Sequence, residues 1–278
     1  MTVLGILHPG SMGAAVASQA RHRGEVLWCS TGRSTASKER AQRYGLTPVH
    51  DVGEMTERAD IIMSVCPPAN ALEVAATVAA HSFSGIYVDA NAVAPATMAS
   101  ISATMLPAGA TIVDGSIIGS PPSDVKTTRL YLSGPPEALT TVARLFTDSA
   151  VKVHLLSSDI GRASALKLSY SSYQKASRVL AAVAYALAAD WGVEEELLHI
   201  AESRTTSYLS ETAYVPKVAA RAWRWAPEMR EAASALAELS LPPDLVEATA
   251  RVVEQWSEAK DRPMELHEAL ALLHSPQE

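Results

Sequence analysis

The chain has 278 residues, 48% of them hydrophobic, with 23 basic against 30 acidic side chains and a formal net charge of −7. That length suits one large or two medium domains around a sizeable core, and the negative balance argues against a nucleic-acid or anionic-membrane partner. The 2 cysteines, Cys29 and Cys66, form no C-x-x-C pair, which excludes a disulfide framework and points to the cytoplasm.

Taken in chain order, the apolar run Val3–Leu7 predicts a strand that breaks at His8-Pro9-Gly10-Ser11-Met12-Gly13, with a helix predicted over Ser11–Arg23. Leu4–Leu7 followed by Ala15-Val16-Ala17 imitates a signal peptide, but no Lys or Arg precedes the run and glycines and a proline interrupt it. Next come strand Val26–Cys29, helix Lys38–Tyr44, strand Ile61–Val65, helix Ala69–Ala80 and strand Ile86–Asp89. Helix Pro95–Met105, strands Thr111–Asp114 and Arg129–Ser133, helix Pro136–Phe146 and strand Val151–Leu155 complete the first half. Cys66-Pro67-Pro68, Pro107-Ala108-Gly109 and Ser120-Pro121-Pro122 read as the turns between them.

Beyond about residue 157 the pattern is helical throughout. A long helix is predicted over 161–190, with Ser158 or Asp159 as its N-cap, followed by Glu194–Ser203, Val215–Leu239, Pro243–Ala259 and Pro263–His274. The fold class is therefore α/β: an N-terminal Rossmann-type, doubly wound and mostly parallel sheet over 1–157, then an all-α domain over 158–278. From Val179 to Ala189 the long helix is apolar on every side. In so small a domain this predicts burial against a second copy, hence a homodimer. No run approaches the roughly 20 apolar residues of a membrane span.

A strand, a Gly-rich turn and a helix in that order form the opening of a dinucleotide-binding unit, in which a helix N-terminus faces a pyrophosphate. Gly10 and Gly13 fill two glycine places of G-x-G-x-x-G, while His8 stands in the remaining one. His8, Pro9, Gly10, Ser11 and Met12 are accordingly predicted to line the cofactor. The second strand runs into Trp28-Cys29-Ser30-Thr31-Gly32-Arg33-Ser34, with no acid before Glu39. The hydroxyls of Ser30, Thr31 and Ser34 and the Arg33 guanidinium suit a 2′-phosphate, predicting NADP(H) in preference to NAD(H). Lys167 lies in the first turns of an apolar helix, where burial would lower its pKa and make it a usable proton donor or acceptor. His154 and His199 have no partners at metal-ligand spacing, so no metal is predicted.

With these residues in place, the chain resembles the 6-phosphogluconate dehydrogenase-like, β-hydroxyacid dehydrogenase superfamily, and within it a branch whose C-terminal domain has no assigned function. Gly5-Ile6-Leu7-His8-Pro9-Gly10-Ser11-Met12-Gly13 parallels G-x-I-G-x-G-x-M-G, and Val88–Pro95 parallels a D-x-S-T-x-x-P motif near the nicotinamide, with Asn91 at the serine place. Val113–Ser120 parallels the substrate loop D-A-P-V-S-G-G, Ile118 replacing its serine. Gly161–Ser171 parallels G-x-G-x-x-x-K-x-x-N-N, with Tyr170 and Ser171 in place of the family's His or Asn and Asn.

The resemblance implies hydride transfer between a nicotinamide, lying near Cys66, Pro67 and Asn91, and a small hydroxy-acid or keto-type substrate. Lys167 would be the acid/base, Ser116, Gly119 and Ser120 would hold a polar substrate group, and Tyr170 or Ser171 would orient it. The alternatives are an NADPH-dependent imine reductase, where a Tyr or Asp replaces the lysine, and a nucleotide sensor without chemistry.

Overall fold

The computed structural model describes residues 1–274. Strands β1 (Thr2–Ile6), β2 (Gly24–Cys29), β3 (Thr47–Val49), β4 (Ile61–Ser64), β5 (Ile86–Asp89), β6 (Thr111–Ile118), β7 (Thr128–Ser133) and β8 (Val151–Ser157) form one sheet in the order β3-β2-β1-β4-β5-β6-β7-β8. Pairing is parallel from β3 through to β6, antiparallel between β6 and β7, and parallel again to β8. The alternating strand and helix pattern made a parallel sheet the expectation, because parallel neighbours require crossovers. The chain is an α/β protein of the Rossmann type.

Helices α1 (Ser11–Ser18), α2 (Thr35–Arg43), α3 (Val52–Arg58), α4 (Ala71–Ala80), α5 (Pro95–Met105) and α6 (Pro136–Leu145) connect the strands. They cover both sheet faces, leaving one core around Leu4, Ile6, Val16 and Met63 and another around Leu27, Met55, Ile62 and Tyr87. Residues of β1 alternate between the two cores, as a period of two on a doubly covered sheet requires. Gly13 permits α1 to sit hard on the exit of β1. A Cβ there would lie 2.6 Å from the His8 carbonyl oxygen.

Several elements differ from the sequence expectation. The predicted helix Ser11–Arg23 divides into α1 and a 3-10 turn, Gln19–His22. β3 and α3 are additional. β3 is a three-residue edge strand containing Pro48, too short and too polar to show a period. α3 is announced by Asp51, whose side chain accepts from Glu54 N at 3.0 Å, while Glu54 accepts from His50 N at 2.7 Å. This Asp-x-x-Glu spacing is a capping-box signal present in the sequence. β6 runs on to Ile118, four residues past the predicted end at Asp114.

The remaining helices are α7 (Arg162–Asp190), α8 (Glu194–Glu202), α9 (Val215–Glu238), α10 (Asp244–Glu254) and α11 (Leu266–Leu272). The chain divides into two compact units, Met1–Ser171 and Ser172–Glu278. In the second, Ala219, Ala222 and Ala226 give α9 a flat stripe against Val253 and Trp256, and Trp256 Nε1 donates to Ala269 O at 2.8 Å. The α7 stretch expected to be enclosed is open in the single chain, with Val179, Leu180 and Tyr185 exposed by 53%, 41% and 43%. Val183 and Leu187 pack against a cluster of Ala233, Leu236 and Val246, and Ala188 is buried, while the other side of the stretch stays open. Among the described residues, no helix is long and apolar enough to cross a membrane.

Candidate active site

Strand order reverses direction between β1 and β4, and crevices at such switch points, outside the carboxyl ends of the strands, are where open α/β sheets bind ligands. A cavity of about 400 Å³ lies there. Leu7 and His8 follow β1 into it, Cys66 and Pro67 follow β4, Arg33 comes from the turn after β2, and Val74, Thr77 and Val78 form a wall on α4. The apolar α4 wall, which the sequence reading did not single out, suits the flat face of a base.

Local features fit an anionic dinucleotide. No side chain caps α1, whose N-cap is Gly10, and no residue contacts a Cβ built at Gly10. The first-turn N–H groups of α1 therefore keep their capacity for an anion. Two buried polar atoms of residues at the cavity, His8 Nδ1 and Arg33 Nε, have no hydrogen-bond partner.

Arg33 Nη2 donates to Leu7 O at 3.0 Å, which ties its guanidinium across the end of β1. Arg40, on α2, adds a second cation that the sequence reading missed, its Nη1 donating to Pro9 O at 3.0 Å. The hydroxyls predicted beside Arg33 have local partners. Ser30 donates to Val49 O at 2.9 Å, and Ser34 caps α2 by accepting from Ser37 N. Thr31 is exposed, and Met12 packs against the core.

His8 is held neutral, its pKa lowered from 6.5 to about 4 by burial first and by the Arg33 charge second. Arg40 at Pro9 and Glu73 on the α4 wall are further charged side chains at this end of the sheet. As pH falls from 6.5 towards 4, the unfolded chain takes up a proton at His8 that the folded protein refuses. Stability therefore drops through that window. Asp89, raised by burial from 3.8 to about 6, contributes in the opposite sense between those values. The clean comparison is thus urea unfolding at pH 7 and pH 5 of wild type and His8→Asn, and the variant is expected to lose less stability.

Asn91 is buried and turned inward. Its Oδ1 accepts from Cys66 N at 2.6 Å, and its Nδ2 donates to Ser64 Oγ and Asp89 Oδ2 at 3.0 and 2.9 Å. It pins the Cys66–Pro67 turn at the cavity edge. The Cys66 thiol is raised by burial, which makes it a poor nucleophile.

A second cluster forms where β6 meets the start of α7. Lys167 Nζ donates to Ile117 O at 2.6 Å, which places its head beside the end of β6, next to exposed Gly119 and Ser120. Ser116 is fully buried and donates to Ala163 O at 2.6 Å, inside this joint. Asp114, also buried, accepts from Gly161 N at 2.8 Å, Ser164 N at 3.1 Å and Ser164 Oγ at 2.7 Å. Ser133 Oγ donates to the same carboxylate at 3.1 Å and accepts from Ala163 N at 3.1 Å. These groups cap α7, in place of Ser158 or Asp159. Tyr170 is exposed, and Ser171 Oγ donates to Leu168 O at 3.4 Å. Among the described residues, no group of His, Cys, Asp and Glu is placed to hold a metal.

A Rossmann sheet with an uncapped glycine-led helix at its switch point is the arrangement of a dinucleotide-binding protein. The chain belongs to the family described by the NAD binding domain of 6-phosphogluconate dehydrogenase, which matches residues 3–157. Residues 188–256 match a domain of unknown function, DUF1932. The chain is thus an NAD(P)-dependent dehydrogenase or reductase of the 6-phosphogluconate dehydrogenase-like type, in the branch with an unassigned C-terminal domain. It is 28% identical over 199 residues to an uncharacterised 28.5 kDa protein in the 7S RNA 5′ region of Methanothermus fervidus, covering 72% of this chain and 76% of that one. Conserved protein MTH1747, of unknown function and structurally similar to 3-hydroxyacid dehydrogenases, superposes with a TM-score of 0.61 at 25% identity, over 92% of this chain and 98% of its own. A reductive aminase from Aspergillus terreus, solved with NADPH and ethyl levulinate, shares the fold with a TM-score of 0.73 at 17% identity, over 98% and 99% of the two chains.

Proposed function

We propose that this protein is an NADPH-dependent oxidoreductase that interconverts a small hydroxy acid and its keto form, with Lys167 as the acid/base. The observation that carries the reading is the Lys167 ammonium, fixed 2.6 Å from Ile117 O beside the Gly119–Ser120 turn at the carboxyl end of β6. When bound, the nicotinamide supplies or accepts the hydride. Lys167 gives the matching proton to the carbonyl oxygen in reduction and takes it back in oxidation. Gly119 and Ser120 offer backbone and hydroxyl groups to a polar substrate tail, and Asn91 holds the Cys66–Pro67 turn in place. The deciding experiment is NADPH oxidation with a panel of β-keto acids beside cyclic imines. Turnover of the keto acids supports this reading, and NADPH binding without turnover of any compound would leave a sensor.

A second reading, imine reduction, draws on exposed Tyr170, three residues from Lys167 on α7, and on the shared fold of the reductive aminase. Turnover of cyclic imines alone, abolished by Tyr170→Phe, would establish it instead.

The preference for NADPH rests on Arg33, a cavity-lining guanidinium with a buried, unpartnered Nε, and on the lack of an acid between Cys29 and Glu39. Arg33→Ala is expected to weaken NADPH binding by about tenfold or more, as loss of a charged hydrogen bond does, with NADH binding changed far less. Equal effects on both cofactors, read by cofactor fluorescence, would remove Arg33 as the discriminator.

Homodimerisation is proposed through the apolar stretch of α7, whose Val179 and Leu180 are left open by their own chain. Sedimentation at micromolar concentration is expected to give twice the chain mass, and Leu180→Asp is expected to shift it towards the monomer.

A further inference from the structure

The second unit holds a cavity of about 810 Å³, larger than the one at the switch point. That volume lies within the range of small-molecule sites. Its walls are the first turns of α9, the segment 261–264 and the start of α11. Lys217 and Arg221 in that wall fall inside the domain of unknown function.

Charge and shape both suit an anion with an apolar body. Lys217, Arg221 and Arg262 line the cavity against Asp261 and Glu265, a local surplus of basic charge in a chain of net charge −7. Among the described residues none of the three cations forms an ion pair. Arg221 Nη1 donates to the Tyr214 hydroxyl at 3.0 Å, which holds a guanidinium that has donors to spare. Glu265 serves as the N-cap of α11, in a capping box with Glu268. α9 begins in this wall with no side-chain cap, so the positive end of its dipole adds to the attraction. Pro216, Ala220 and Met264 supply the apolar surface. That wall is built in place: Asp261 N donates to Ala220 O at 3.0 Å, and Met264 packs against the core of Ala219, Ala222 and Trp256.

We propose that this cavity binds a small carboxylate with an apolar body, its carboxylate held by Arg221, Lys217 and Arg262 and its body laid on Pro216, Ala220 and Met264. A guanidinium matches the two oxygens of a carboxylate with two parallel hydrogen bonds. Bare phosphate would leave the apolar wall unused, and an uncharged chain would leave the three cations unpaired. The test needs no nucleotide, so its outcome is independent of the cofactor reading above.

The full chain is titrated by calorimetry with octanoate, 1-octanol and inorganic phosphate, as wild type, Arg221→Ala and Ala220→Leu. Octanoate is expected to bind wild type once per chain. Arg221→Ala, at an exposed position, is expected to weaken that binding by about tenfold or more, as loss of a charged hydrogen bond does. Ala220→Leu is expected to weaken it by narrowing the cavity, and urea midpoints close to wild type show that both variants fold. 1-Octanol and phosphate are expected to bind at least about tenfold more weakly than octanoate. If octanoate does not bind, or binds Arg221→Ala as tightly as wild type, the carboxylate is not held here and the proposal falls. Binding of 1-octanol or of phosphate as tight as that of octanoate also overturns it, the first by dispensing with the cations and the second by dispensing with the apolar wall.

Discussion

Lys167→Ala is expected to lower kcat by about 10² to 10⁴-fold, the range contributed by a positioned acid or base, while NADPH affinity stays within about twofold. The lysine approaches the site from α7, and its head is held at Ile117 O, at the end of β6 rather than at the β1–β4 crevice. Removing it therefore strikes the proton and leaves the nucleotide pocket intact. Lys167→Arg sharpens the test. The guanidinium keeps the charge and can still reach a carbonyl, but it does not release a proton near neutrality, so it is expected to be nearly as inactive as the alanine variant. A purely structural lysine predicts something else: kcat within about threefold of wild type and a loss of roughly 1 kcal/mol in stability, the ordinary worth of one hydrogen bond. Single-turnover hydride transfer followed at the nicotinamide absorbance, together with urea unfolding of the same variants, separates the two.

Much of this architecture was legible because hydrophobic period and turn chemistry agree along the first half of the chain. The strand, glycine turn and helix of Val3–Ser18 identify the fold and point to the switch-point crevice. What was not legible is direction and distance. A motif marks where a residue sits along the chain, but not which way its side chain turns. Asn91 occupies the place of a family motif near the nicotinamide, yet its amide is used on Ser64, Cys66 and Asp89. Ser116 was assigned to the substrate loop from an element expected to end at Asp114. Because β6 continues to Ile118, Ser116 lies two residues after Asp114 on the same strand face, and both are directed at α7. Arg40 reaches Pro9 only because α2 lies beside the loop. The α7 cap escaped for the same reason: its acceptor lies 47 residues upstream of Gly161, beyond any local pattern.

Asp114→Ala is expected to destabilise the protein by about 4 kcal/mol, at the high end for a single substitution. Asp114 is fully buried in the sheet. Its carboxylate accepts from Gly161 N, Ser164 N, Ser164 Oγ and Ser133 Oγ, so it caps α7 from a strand and sets a negative charge at the positive end of that helix. Alanine leaves these donors buried without an acceptor, and each costs about 1–3 kcal/mol if it finds no water. Relaxation around the small cavity recovers part of that sum. Asp114→Asn keeps the shape and one acceptor oxygen but turns an N–H₂ towards groups that are themselves donors, so a loss of about 2 kcal/mol is expected. Urea unfolding is the measurement, with an unchanged m value showing that the loss is one of stability and not of compactness. A loss below about 1 kcal/mol in the alanine variant would mean that water replaces the carboxylate and that α7 does not depend on it. The same joint positions Lys167, one turn beyond Ser164 on α7. Asp114→Asn is therefore also expected to lower kcat while leaving NADPH affinity unchanged, because the helix that carries the proposed proton donor is anchored by this carboxylate and the cavity at the β1–β4 crevice is not.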